Sequence, residues 1–162
     1  MSLISLLCMV GASCMALTIY LIIYLSRYGV PESVSATYYS EFPKWSFSST
    51  LVLAGGFLLV PWIEISEKTE FCAFIATVSV FFVAFSPTFK EKFVGRVHYG
   101  SAIALFIAST VWLLANDGFW AFLLASCMPA AIYRKKWLFW VEIGLFVSIY
   151  STLIASLLTT SR

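Results

Sequence analysis

The sequence predicts an all-α fold, an integral membrane bundle of about six transmembrane helices, with residues 1–162 as one transmembrane domain. Two observations predict it. The chain is 61% hydrophobic and 11% charged, whereas soluble domains carry roughly 45–50% apolar and about 25% charged residues. Its charges fall in short clusters between long apolar runs, as expected when hydrocarbon is the solvent. All four cysteines, Cys8, Cys14, Cys72 and Cys127, lie inside apolar runs without a CxxC pair, and so read as small packing residues.

The first span is predicted over 3–26. Nothing basic precedes Arg27, and the run is long enough to cross a bilayer, so it reads as a retained helix and not a signal peptide. Gly11, Ala12, Ser13 and Ala16 would let a neighbouring helix approach closely. The polar connection YGVPESVSATYYSEFPKWS, Tyr28 to Ser46, is bracketed by Pro31 and Pro43, which discourage continuous helix. Its tyrosines and Trp45 suit an interface. It reads either as an interfacial loop with aromatic anchors or as a lid over a polar cavity.

The second span, 47–65, holds Gly55–Gly56, a mark of close packing or of the helix break that a transporter would need. The third, 71–86, ends at Ser86–Pro87. The fourth, 98–115, begins at the only histidine and ends at the turn signal Asn116–Asp117–Gly118. The fifth, 119–133, precedes Arg134–Lys135–Lys136, and the sixth covers 137–159. The third and fifth runs are short, so flanking interface residues are expected to extend them.

Sidedness follows from Lys and Arg in short connections. Arg27, Lys44, Lys90, Lys92, Arg96, Arg134, Lys135 and Lys136 fall in odd-numbered connections, against Lys68 and Arg162 on the other side. This predicts an inner-membrane protein with cytoplasmic odd loops and extracytoplasmic termini. A net charge of +2 is too small and scattered for nucleic acid. No cofactor motif and no metal-type Cys/His spacing is present.

Few polar groups remain to carry function. Glu142 lies six residues past Lys136, about 9 Å deeper at a helical rise. A carboxylate at that depth needs a partner or a wet cavity. One reading is a cytoplasmic-face ligand pocket built from His98, Glu142, Arg96, Tyr38, Tyr39 and Ser35, in which Arg96 or His98 partners Glu142. The other is that Glu142 snorkels toward Lys135 or Lys136 and fixes helix rotation.

At GRVHYGSA, Gly95 to Ala102, with FSPTFK ahead of it and PESVSATYY in the first loop, the chain resembles small bacterial (Bacteroides-type) multi-pass membrane proteins of unassigned function. More distantly, a loop ending in His at the head of an apolar helix is similar to the Frag/DRAM/Sfk-like six-span class, itself compared with the CREST ceramidases. That resemblance implies a shared helical arrangement. CREST hydrolases hold zinc with three histidines, and this chain has one, which argues against zinc hydrolysis.

The function expected from the sequence is a membrane protein that binds a lipid or a membrane partner through that pocket. Membrane lipids are the expected partners, with a homo-oligomer or a protein partner left open. The alternatives are a small transporter or channel, or a metal-independent lipid-modifying enzyme with His98 as general base and Glu142, Tyr38 or Tyr39 as its partner. The absence of a legible catalytic constellation leans against an enzyme.

Overall fold

A computed structural model describes residues 1–88 and 90–160. Phe89 of the FSPTFK stretch, and Arg162, lie outside the described residues. Among the described residues six α-helices make the fold: α1 Leu3–Tyr28, α2 Lys44–Ile65, α3 Glu70–Phe85, α4 Lys92–Ala115, α5 Phe119–Ile132 and α6 Trp137–Thr160. Short 3-10 turns at Ser35–Tyr39 and Arg134–Lys136 complete it. Sequential helices pack as antiparallel neighbours: α1 on α2, α2 on α3, α3 on α4 and α5 on α6. α6 also touches α1, α2 and α4, which closes the bundle.

Local chemistry sets the helix ends. Ser2 Oγ accepts from Ser5 N at 3.2 Å and caps α1. Gly29 ends α1 at φ 72°, a conformation that costs glycine nothing. Pro87 pushes Ser86 out of helical geometry, and α3 stops there. Asp117, at φ 57°, turns the chain between α4 and α5.

Four segments, 3–28, 44–65, 92–115 and 134–159, are long and apolar enough to cross a membrane. α3 and α5 have 16 and 14 residues, or about 24 and 21 Å. The expected lengthening by interface residues falls elsewhere. α2 begins three residues early, at Lys44, and α4 six residues early, at Lys92. No proline interrupts KFVGRV, and the helix runs through the buried Gly95, so Lys92 and Arg96 ride on it as exposed residues.

Large apolar residues face outward as well as inward, and some polar side chains are buried. Ile19, Ile22, Phe71, Phe74, Phe82, Ile103, Ile107, Leu124 and Met128 are among many exposed large apolar residues. Ser13, Thr77, Ser79, Ser109, Ser126, Ser148 and His98 are buried. Hydroxyl groups join neighbouring helices at two places. Ser13 Oγ donates to Ala54 O at 2.7 Å and, its one proton spent, accepts from Tyr150 OH at 2.7 Å. Ser48 Oγ donates to Ala84 O at 2.8 Å, joining α2 to α3.

Small residues act unevenly. A Cβ at Gly55 would stand 3.3 Å from Val80 and Phe81, so this glycine permits the α2–α3 contact. Gly56 is exposed, and no atom lies within 4 Å of the place a Cβ would take. α2 runs unbroken through both, so the break that would mark a transporter does not occur there. Gly11 likewise admits no neighbour, and Ser13 makes that approach. The tightest seam lies at Gly144, where a Cβ would meet the Ser126 backbone N at 2.8 Å. Cys14 and Cys72 pack against the core, whereas Cys8 and Cys127 are exposed.

Candidate functional site

Three connections gather at one end of the bundle: the long loop after α1, the α3–α4 connection and the α5–α6 turn. The long loop is laid along the start of α6. Val30 O accepts from Lys136 Nζ, Glu32 O accepts from Phe139 N at 3.1 Å, and Val34 N donates to Glu142 Oε2 at 2.6 Å. Phe139 is in the first turn of α6, whose N–H groups have no helical acceptor, so the loop satisfies one of them. The loop is also tied to α1. Thr37 Oγ1 donates to Val34 O at 2.6 Å, and so it is Tyr20 OH that donates to Thr37 Oγ1, also at 2.6 Å. Lys90 N donates to Tyr39 OH at 2.9 Å, and the Lys90 ammonium sits 4.2 Å from the Tyr39 ring centre.

Under this loop is a cavity of about 660 Å³, within the range of small-molecule sites. Its polar groups, Glu32, Ser33, Ser35, Tyr39, Lys90, His98 and Glu142, lie at the loop end. Farther in, the wall is Leu51, Val80, Leu105, Phe106, Leu145 and Phe146.

His98 is 2% exposed. Its Nδ1 lies 2.9 Å from Ser86 O and its Nε2 lies 3.1 Å from Ser35 Oγ. A carbonyl oxygen only accepts, so Nδ1 carries the proton, and in the neutral ring Nε2 accepts from the Ser35 hydroxyl. The need for this bond originates in α3. Ser86 caps that helix, where carbonyls lack helical donors.

Of the six candidate site residues, the structure brings His98, Glu142, Tyr39 and Ser35 onto one wall. Arg96 and Tyr38 are not on it. Arg96 precedes His98 by two residues on α4, a spacing that puts side chains on different faces, and Arg96 is exposed. Tyr38 packs edge-on against Phe47 at 6.2 Å, with the Lys44 ammonium 5.8 Å from its ring. Glu142 does not take Arg96, Lys135 or Lys136 as an ionic partner. The sole ion pair among the described residues joins the Met1 amino group to Glu64 at 3.0 Å. The carboxyl of Glu142 holds a backbone N–H instead. Sequence reasoning gave no site role to Lys90 or Glu32 on the wall, or to the Ser86 carbonyl that orients His98.

Among the described residues no group of three His, Cys, Asp or Glu could hold a metal ion. No family model, curated protein or solved structure matches the chain. The functional reading therefore rests on geometry.

Proposed function

We propose that the chain is an integral membrane protein, with all six helices embedded, that binds one amphipathic lipid in this cavity. The observation that carries the reading is the cavity's polarity gradient. The headgroup sits among Ser35, Tyr39, Lys90 and His98, and the acyl chain lies against Leu51, Val80, Leu105 and Phe146. The many outward-facing large apolar residues support hydrocarbon as the solvent. The basic connections around the mouth attract anionic headgroups.

The wild-type protein, purified in detergent, is expected to retain one phospholipid by native mass spectrometry, with phosphatidylglycerol preferred over phosphatidylcholine on re-addition. Ala102→Trp fills the cavity from α4 and should abolish retention while the protein stays folded. Retention unchanged in that variant would place the lipid elsewhere.

The same reading puts the basic connections in the cytoplasm of a cell whose inner membrane holds the protein. A reporter fused after α6 should then be active only outside the cytoplasm. Cytoplasmic activity would reverse the orientation.

A further inference from the structure

We propose that Ser35 and His98 are a nucleophile and its general base, acting on a carboxylic ester of the bound lipid. This deepens the lipid-site reading and rests on it. Three features carry it. The Ser35 hydroxyl points its proton at His98 Nε2 across 3.1 Å, the contact an activated serine needs. The Ser86 carbonyl, 2.9 Å from Nδ1, fixes the tautomer, the part a carboxylate plays in a serine triad. Both side chains line the cavity, so an ester carbonyl beside Ser35 leaves its acyl chain on the apolar wall.

The surroundings favour Ser35 over the other hydroxyls on that wall. Ser33 Oγ accepts from Ala36 N at 3.1 Å and Tyr39 OH accepts from Lys90 N, and neither bond is to a base. Burial at 2% exposure leaves the His98 ring little room to turn. Glu32 and Lys90, both exposed, mark the end where water enters.

The step balances without an oxidant or a metal. Ser35 Oγ bonds to the ester carbonyl carbon as its proton passes to Nε2. The bond from that carbon to the alkoxy oxygen breaks, and the departing alcohol takes the proton from Nε2. Water then adds to the acyl carbon and gives a proton to Nε2. The bond to Ser35 breaks, Ser35 recovers the proton, and a carboxylic acid leaves. Ester and water become acid and alcohol.

The test uses the full chain in detergent micelles with a hexadecyl fluorophosphonate probe, which traps an activated serine. Intact mass and peptide mapping should find one adduct, on Ser35. Ser35→Ala should lose the adduct while unfolding in detergent at the same temperature as wild-type protein, and His98→Gln should label about a hundredfold more slowly or worse. Wild-type protein unfolded in dodecyl sulfate should not label, because the fold makes the pair. An adduct on another residue, or none on wild-type protein that still retains phospholipid, overturns the pair and leaves the lipid site standing. Wild-type protein without retained phospholipid overturns the cavity reading itself, and the pair with it.

Discussion

Replacing Trp112 with alanine is expected to destabilise the bundle by about 3 kcal/mol, near the low end for removing a buried tryptophan. Trp112 is fully buried where α4 meets the end of α2. Its ring sits edge-on to Trp62 with centroids 5.5 Å apart, and its Nε1 donates to Ser66 Oγ at 2.6 Å. In a lipid environment the transfer part of the usual penalty is small, because acyl tails are as apolar as a core. What remains is the lost packing around the void. Ser66 still donates to Trp62 O at 2.5 Å, so no donor is orphaned. Trp112→Phe should accordingly cost less, because an edge-on ring contact survives and one hydrogen bond, from Nε1 to Ser66, is lost. Reversible unfolding of both variants in mixed micelles checks the order. Equal losses would mean that the hydrogen bond, not the packing, holds α4 to α2.

The helices were legible because an apolar run between charge clusters has few other uses at this composition. The start of α4 was not, because Lys92 and Arg96 look like loop residues until their long stems are allowed to lie along a helix. His98 and Glu142 stood out as ionisable groups beside apolar runs. Arg96 is near the pocket in sequence, and helical phase turns it away. The Ser35–His98 contact was not readable at all. It depends on a loop held to α6 largely through Val30 O, Glu32 O and Val34 N. Every residue has such atoms, so no side-chain pattern announces them.

The loop's anchoring makes Glu142 the residue whose loss reaches furthest into the site. Glu142→Ala leaves the buried Val34 N–H without its acceptor, at a cost of about 1–3 kcal/mol. Lys136 and Phe139 continue to hold Val30 and Glu32, so the loop should loosen from Val34 onward and stay docked before it. That asymmetry distinguishes anchoring from general destabilisation. Hydrogen exchange should rise at Val34 and through the Ser35–Tyr39 turn and change little at the start of α6. Ser35 is the next residue along, so Glu142→Ala should also slow fluorophosphonate labelling, with Glu142 acting as a positioning residue that does not itself touch the ester. Glu142→Gln keeps an oxygen for Val34 and should restore both exchange protection and labelling. If glutamine restores protection but not labelling, the carboxylate faces the ligand as well as the loop. If exchange at Val34 is unchanged in the alanine variant, Glu142 does not hold the loop, and Ser35 owes its place to His98 and Thr37.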